Sequence, residues 1–298
     1  MSSAAYRLLS PETLSKLANL ELIARTAVEG FLTGLHRSPH YGFSQEFKEY
    51  RAYVEGDDPR FVDWNVYART ERTYIRRYEG ETNTRLMLVL DASASMGYSS
   101  RGITKLQYAK YLAAALAYLA SRQHDPVGLI VFDEEVRHYR APTGRAGSLQ
   151  GLIHAIDAVE AGRGTDLVKC FSSFREHLTR RGLVAVISDL YCDPEAMSRA
   201  VLPLAYHGHD IMFFQLLDPQ EVKPHFEESV VLEDVETRQS VNVSPDYLED
   251  QYLTRIGAHL ESLRAAAAKV GAHQLLATTD EPLDQALRRY LLFREGRA

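Results

Sequence analysis

Arg85-Leu-Met-Leu-Val-Leu-Asp-Ala-Ser-Ala-Ser-Met-Gly97 is the stretch that decides the fold of this 298-residue chain. Leu86 to Leu90 is a continuous apolar run without polar alternation, which predicts a strand buried on both faces of a parallel sheet. The run ends at Asp91, and Ser93 and Ser95 follow at single-residue spacing. Oxygens at this spacing in a tight loop can converge on one point, and Mg²⁺ prefers oxygen ligands. The stretch therefore predicts a buried strand that ends in part of a cation site.

Apolar strands and amphipathic helices alternate along the chain that follows. Helices are predicted at Lys105 to Arg122, Ser148 to Glu160 and Pro194 to Tyr206, and further strands at Val127 to Phe132, Leu183 to Ser188 and Ile211 to Leu217. This alternation predicts an α/β fold with a doubly wound, mainly parallel sheet and helices on both of its faces. Asp189 follows one of the predicted strands directly, so its carboxylate is expected at the same sheet edge as Asp91.

The region before the central strand has a different residue pattern. Ser10-Pro11-Glu12 predicts the start of a helix that continues to about Leu35. Short aromatic and β-branched pieces from Tyr41 to Glu81 predict strands and turns, with Trp64 as a core anchor. We therefore expect an N-terminal helix and β-rich extension at residues 1–82 and the main domain at 83–298, with a β-hairpin insertion near 228–244.

Composition excludes several classes of protein. The net charge of -6 and the pI near 6.0 argue against a nucleic-acid partner, because phosphate-backbone affinity depends on clustered Lys and Arg. Cys170 and Cys192 form no Cys-x-x-Cys pair, so two free thiols in a reducing compartment are expected. No apolar stretch reaches the roughly 18 residues of a membrane span. These features predict a soluble, cytoplasmic protein without a membrane segment.

The strand-end residues resemble the metal-ion-dependent adhesion site of von Willebrand factor A domains. Asp91, Ser93 and Ser95 match the first part of its pattern, Asp-x-Ser-x-Ser, and Thr165 and Asp189 fall where the distant Thr and Asp are placed. The resemblance implies a von Willebrand factor A-like, Rossmann-like fold and a five-residue set for Mg²⁺, with Mn²⁺ or Ca²⁺ as alternatives. It also implies that a protein ligand supplies an acidic side chain to the metal.

A second motif set points to a narrower family. Tyr50-Arg51, Tyr53, Gly56-Asp57-Asp58, Arg60, Asp63-Trp64 and Ala68-Arg69 resemble the DUF58 family. This resemblance implies an adaptor or co-chaperone that works with a MoxR-type AAA+ ATPase. The leading hypothesis is thus a non-enzymatic, metal-dependent module for protein-protein interaction, with no catalytic residue predicted.

Other interpretations remain open at this level. Thr165 precedes a predicted helix, where hydroxyls often serve only as caps. Asp91 could be the aspartyl nucleophile of a Mg²⁺-dependent phosphatase-like hydrolase. In that pattern a carboxylate comes two residues after the nucleophile, whereas this chain has Ser93, and the sequence shows no suitably placed Lys. A purely structural role predicts no metal response at all.

Overall fold

The computed structural model describes residues 10–17, 19–36, 47–53, 62, 64–70, 72–78, 85–145, 147–226, 228–233, 239–245 and 251–295. The chain divides into two compact units: Met1–Phe31 with Thr84–Ala298, and Leu32–Asn83. The predicted boundary between residues 82 and 83 lies next to the junction of these units, whereas the first 31 residues group with the larger one.

The elements are numbered here along the chain. The helices are α1 Pro11–Leu14, α2 Leu20–His36, α3 Trp64–Thr70, α4 Lys105–Arg122, α5 Ser148–Asp157, α6 Leu167–His177, α7 Pro194–Tyr206, α8 Pro219–Val222, α9 Leu253–Lys269 and α10 Leu283–Glu295. The strands are β1 Phe47–Ala52, β2 Tyr74–Tyr78, β3 Leu86–Asp91, β4 Val127–Phe132, β5 Val136–Thr143, β6 Leu183–Ser188, β7 Asp210–Leu217, β8 Val230–Glu233, β9 Ser240–Val243 and β10 His273–Thr278.

The larger unit is built on a six-stranded sheet with the order β10-β7-β6-β3-β4-β5. Only β5 is antiparallel to its neighbour, and every residue of β3, β4 and β6 is buried. The chain passes from β3 to β4 on one side and later enters β6 on the other, so the strand order reverses beside β3. In open α/β sheets such a reversal leaves a crevice at the carboxyl ends of the strands. The predicted α/β fold with a doubly wound, mainly parallel sheet is confirmed.

Helices form contacting groups around this sheet. Helices α6, α7 and α9 pack as one group, and α4 contacts α5 and α10. Phe171, Phe174 and Phe213 meet edge to face within the core that lies under the first group. In the described ranges no helix combines the length and the apolar character that a bilayer crossing requires. Cys170 and Cys192 are both free thiols.

The N-terminal helix is shorter than predicted. The Ser10 side chain accepts from the Thr13 amide, as expected for a cap, but α1 ends at Leu14. The chain then starts a second helix, because the Asn19 side chain accepts a hydrogen bond from the Leu22 amide, 2.8 Å away. One continuous helix from residue 11 to about 35 is therefore wrong, since a polar side chain caps a new start within it.

The smaller unit contains the antiparallel pair β1 and β2, with helix α3 between them in sequence. The strands agree with the prediction, whereas the helix was not predicted. The prediction that Trp64 is a core anchor is wrong: its side chain is 62% exposed and meets Tyr67 edge to face at 6.0 Å. In the larger unit, β8 and β9 pair antiparallel as a separate two-stranded sheet, as the hairpin pattern predicted.

Candidate functional site

Aspartates mark the carboxyl ends of neighbouring parallel strands. Asp91 is the last residue of β3, and Asp133, Asp189 and Asp218 directly follow β4, β6 and β7. All four are buried, with exposed fractions between 0% and 5%. Because these strands are parallel and adjacent, their ends lie along one edge of the sheet. This edge concentrates negative charge in the interior, where it requires compensation.

Asp91 lies at the centre of this edge and is fully buried. Its Oδ1 accepts from the Ser93 amide at 2.8 Å, and its Oδ2 accepts from the Ser188 hydroxyl at 2.5 Å. Burial, and then the charge of Asp189, raise the pKa of Asp91 to about 7. Across the described residues the donors to this carboxylate are uncharged. A cation at this point would therefore favour its ionised form.

Ser93 and Ser95 place two hydroxyls beside Asp91. Their Oγ atoms are 3.1 Å apart, and Ser93 is fully buried. Residues Ala94–Gly97 form a 3₁₀ helix, and its N-cap Ser93 makes no side-chain capping bond. The Ser93 hydroxyl is thus not needed to cap the turn, which leaves its oxygen suited to a ligand role.

The loop that carries Thr165 is bonded to the loop that follows Asp91. The Gly162 amide donates to the Ala92 carbonyl at 2.6 Å, and the Ala94 amide donates to the Arg163 carbonyl at 2.6 Å. Asp133 Oδ2 also accepts from the Arg163 amide at 3.5 Å. These bonds bring the two loops together even though about 70 residues of sequence separate them.

The helix that follows Thr165 is capped by the next residue, Asp166, and not by Thr165. Helix α6 begins at Leu167, and its N-cap is Asp166, whose side chain accepts from the Lys169 amide at 2.9 Å. Thr165 is half-buried in the loop just before this cap. Its position agrees with the loop placement that the sequence pattern predicted.

Asp189 is paired with a buried lysine. Lys105 Nζ donates to Asp189 Oδ2 at 2.8 Å and to Glu221 Oε1 at 2.7 Å, and the lysine is fully buried. Burial alone would lower the pKa of Lys105, but the two carboxylates outweigh burial and raise it. The Tyr191 ring centroid lies 5.0 Å from the ammonium. Leu190, next to Asp189, has a φ of 56°, a conformation that branched residues seldom adopt outside constrained sites.

Glu221 and Asp218 connect this pair to the end of β7. The Asp218 amide donates to Glu221 Oε2 at 2.7 Å, and Asp218 Oδ1 accepts from the Gln220 amide at 2.8 Å, which completes a capping box on α8. Asp218 Oδ2 accepts from the Ser100 amide at 2.9 Å. The loop after Ser95 and the end of β7 are thereby fixed against each other.

Sequence reasoning missed Lys105, Glu221 and Ser188 as parts of the site. The sequence did not reveal a lysine beside Asp189, and the structure places Lys105 there. A signal was present: Lys105 occupies the first turn of α4, where the positive end of the helix disfavours a cation unless an anion faces it. Glu221 and Ser188 carried no comparable signal, since their partners come from distant parts of the chain.

The donor set fits a hard divalent cation. When ionised, Asp91, Asp189 and Glu221 carry three negative charges against the single positive charge of Lys105. Carboxylate and hydroxyl oxygens are ligands for Mg²⁺, Mn²⁺ or Ca²⁺ rather than for Zn²⁺. Within the described ranges, no group of three or more His, Cys, Asp or Glu side chains is arranged to hold a metal. A metal at this edge would therefore depend on serine and threonine oxygens as well as on carboxylates.

The chain is similar to one protein family and to individual proteins of mycobacteria. Residues 49–261 match the family described as "Protein of unknown function DUF58". The uncharacterized protein Rv1480 of Mycobacterium tuberculosis (strain ATCC 25618 / H37Rv) is 30% identical over 274 residues, covering 91% of this chain and 86% of that protein. The uncharacterized protein Mb1516 of Mycobacterium bovis (strain ATCC BAA-935 / AF2122/97) matches with the same figures.

Solved structures share the fold at low sequence identity. An aerotolerance-related membrane protein from Bacteroides fragilis NCTC 9343 superposes with a TM-score of 0.50 and 15% identity, over 69% of this chain and 97% of that chain. The SpRpn10 VWA domain superposes with a TM-score of 0.42 and 10% identity, over 69% of this chain and 94% of that chain. The first similarity supports the α/β fold and says nothing about ligands.

Proposed function

The chain belongs to the DUF58 family, and we propose that it is a protein-interaction module that binds its partner through a divalent cation at the strand-end site. The observation that carries this proposal is the fully buried carboxylate of Asp91, which lies beside Asp189 and receives only uncharged donors from the described residues. A bound cation turns the repulsion between the two carboxylates into attraction.

Mg²⁺ is the first candidate for the cation, and Mn²⁺ or Ca²⁺ would use the same oxygens. Asp91 and Asp189 would hold it directly or through water, and the hydroxyls of Ser93, Ser95 and Thr165 would complete the set. When bound, the cation supplies a Lewis acid whose neutral hydroxyl ligands leave it electron-poor. A carboxylate from a partner protein is the matching ligand for its open position.

Aromatic side chains near the site provide contact area for such a partner. Tyr98 follows the 3₁₀ helix and is 37% exposed, and Tyr191 lies two residues after Asp189 and is 45% exposed. Tyrosines that combine an apolar ring with a polar tip are frequent anchors of protein interfaces. The proposed interface thus consists of a cation with aromatic rings beside it.

The proposed partner is a MoxR-type AAA+ ATPase, for which this chain would be an adaptor or co-chaperone. This part of the proposal rests on the DUF58 resemblance alone. The chain contains no P-loop motif, so the energy for remodelling a client would come from the ATPase.

A phosphatase-like hydrolase is less consistent with the residues at this site. Its pattern places a carboxylate two residues after the nucleophile, where this chain has Ser93, whose hydroxyl lies 3.1 Å from that of Ser95. Although Lys105 could have balanced charge in such a site, it is buried between Asp189 and Glu221.

Affinity capture with mass spectrometry tests the proposal. The wild type, Asp91→Ala and the surface control Asp157→Ala would each be incubated with the MoxR-type ATPase of the same genome and with lysate, in Mg²⁺ and in chelator. The proposal expects retention by the wild type and the control in Mg²⁺ only. Capture that is unaffected by Asp91→Ala and by chelator would refute the metal site. A metal-dependent partner other than the ATPase would refute only the ATPase partnership.

A further inference from the structure

The amino ends of the parallel strands carry basic side chains, in contrast with the acidic carboxyl ends. Arg85 directly precedes β3, Arg180 and Arg181 lie just before β6, and His209 directly precedes β7. The starts of these strands are level, because Leu86 pairs with Leu183 and Leu183 pairs with Asp210. Basic groups from three adjacent strands, together with Asp210 as the acidic first residue of β7, therefore lie at the edge of the sheet that is farthest from Asp91.

A cavity of about 120 Å³ opens among these groups, and we call it the amino-end cavity. Arg85, Thr179 and Arg180 line it together with Tyr139 and His177. The rings of Tyr139 and His177 are stacked, with centroids 4.2 Å apart and planes 23° apart. The cavity thus has a rigid aromatic side and a basic side.

The arginines of the cavity are not neutralised. Within the described part of the chain, neither Arg85 nor Arg180 forms an ion pair, and no acidic side chain lines the cavity. This is notable in a chain with a net charge of -6. The backbone below Arg85 is closely packed, since a Cβ at Gly182 would lie 2.5 Å from the Arg85 carbonyl oxygen. Unpaired guanidinium groups on a fixed backbone are suited to an anion.

His209 adds a buried polar group to the cavity wall. It is 6% exposed, and its Nε2 lies 3.1 Å from the Leu178 carbonyl oxygen, whereas Nδ1 has no hydrogen-bond partner among the described residues. Burial lowers the pKa of His209, although the carbonyls of Leu178 and Gly182 oppose that effect. Backbone carbonyls therefore hold this imidazole in the cavity wall.

We propose that the amino-end cavity binds a phosphate group, held by the guanidinium groups of Arg85 and Arg180. Arginine recognises phosphate through two parallel N–H···O bonds, and a cavity of about 120 Å³ has room for a phosphate group. The site is independent of the metal-dependent interaction proposed above. Free phosphate and the phosphate of a monoester share this chemistry.

A competing explanation is that these basic side chains only balance the negative C-terminal end of helix α6. Arg175 and His177 lie in the last turn of α6, where cations balance the negative end of the helix. Arg85 and Arg180 lie outside that helix, so helix compensation does not account for them. If compensation were the whole role, phosphate would not bind in a saturable way.

Isothermal titration calorimetry on the full chain tests the proposal, with inorganic phosphate added in chelator at constant ionic strength. We expect saturable binding by the wild type and by the exposed-surface control Arg199→Gln, and a loss of at least about tenfold in affinity for Arg85→Gln and for Arg180→Gln. Asp91→Ala should bind phosphate like the wild type. Circular dichroism would confirm that each variant is folded.

Two results would overturn the proposal: no saturable heat with the wild type, or equal affinity for Arg85→Gln, Arg180→Gln and Arg199→Gln. Competition by methyl phosphate distinguishes the two sources of phosphate. A monoester that displaces phosphate supports a phosphorylated molecule as the ligand, and one that does not supports free phosphate.

Discussion

Lys105 is the residue that links the candidate metal site to the rest of the sheet edge. Its ammonium group is fully buried and lies within 2.8 Å of carboxylate oxygens from Asp189 and Glu221. The desolvation of a buried charge is recovered only when its partners are well placed. Removing the lysine would leave two buried carboxylates without that partner.

Lys105→Met should therefore destabilise the metal-free protein by about 3–5 kcal/mol, the usual cost of breaking a buried ion pair from one side. Denaturant unfolding in chelator measures this loss. Lys110→Met is the matched control on the same helix, because Lys110 is more exposed and donates to a backbone carbonyl, that of Asp157 at 2.9 Å. Equal losses of unfolding free energy in the two variants would show that the buried ion pairs of Lys105 stabilise the protein no more than the exposed contact of Lys110 does.

The raised pKa of Asp91 predicts how the stability of the metal-free protein depends on pH. Its folded-state pKa of about 7 lies above the ordinary value of 3.8, so folding favours the protonated carboxyl. Stability is therefore highest below the unfolded pKa and falls as the pH rises to about 7. Between about pH 5 and pH 8 this loss amounts to roughly 2–3 kcal/mol.

Asp91→Asn cannot ionise, so the variant should gain stability relative to the wild type as the pH rises over that range. Unfolding free energies of both proteins, measured in chelator at the two pH values, give the difference. A difference that does not change with pH would mean that Asp91 does not titrate in the folded protein over that range, which contradicts the prediction. Added Mg²⁺ should remove the pH dependence in the wild type only.

At the scale of elements, the site depends on the loop that carries Thr165. This loop is closely packed at Gly162, where there is little space for a side chain. A Cβ at Gly162 would lie 2.4 Å from Asp133 Oδ2 and 2.7 Å from Arg137 Nη1. The same glycine donates its amide to Ala92, the bond that draws the Thr165 loop toward Asp91. A side chain at this position would force Asp133 or the loop to move.

Gly162→Ala should cost about 1–3 kcal/mol of stability and weaken metal binding, since the Cβ would crowd the buried Asp133 carboxylate and lie 3.3 Å from the Ala92 carbonyl oxygen of the facing loop. Gly257→Ala is the control, because nothing lies within 4 Å of a Cβ there and alanine favours the helix by up to about 1 kcal/mol. Thermal or denaturant unfolding distinguishes the two substitutions. A neutral Gly162→Ala would show that the loop tolerates displacement.

The elements of the sheet were predictable because their apolar runs are uninterrupted. Leu86 to Leu90 and Leu183 to Ser188 became β3 and β6 at nearly the expected bounds. The exposure of Trp64 and the break in the helix before Leu20 could not be predicted in this way. The first depends on tertiary packing, and the second depends on the local hydrogen bond of Asn19. Periodicity predicts that an element is present more reliably than where it ends.

The site itself was predictable only in part. Asp91, Ser93 and Ser95 are adjacent in sequence, whereas the placement of Thr165 and Asp189 depended on the resemblance and on strand order. The contacts of Lys105 with Glu221 and of Ser188 with Asp91 join residues about 100 positions apart. Such pairs follow from packing, which no local pattern encodes.

At the scale of the larger unit, the two ends of the sheet have opposite electrostatic character. Buried aspartates follow the strands at one end, and arginines that form no ion pair with a described residue precede β3 and β6 at the other. The net charge of -6 hides this separation, because it sums over both ends. A cation at the first end and a phosphate group at the second are the ligands that this arrangement favours.

The most direct test of the central claim is a calorimetric titration of Mg²⁺ into the metal-free chain, compared with Asp91→Asn. We predict saturable binding with one site per chain in the wild type and no detectable binding in the variant, because Asp91 would supply a buried carboxylate to the ion. Circular dichroism on the same variant shows whether it is folded. Equal heats for the two proteins, or no binding by either, would contradict the metal-dependent account.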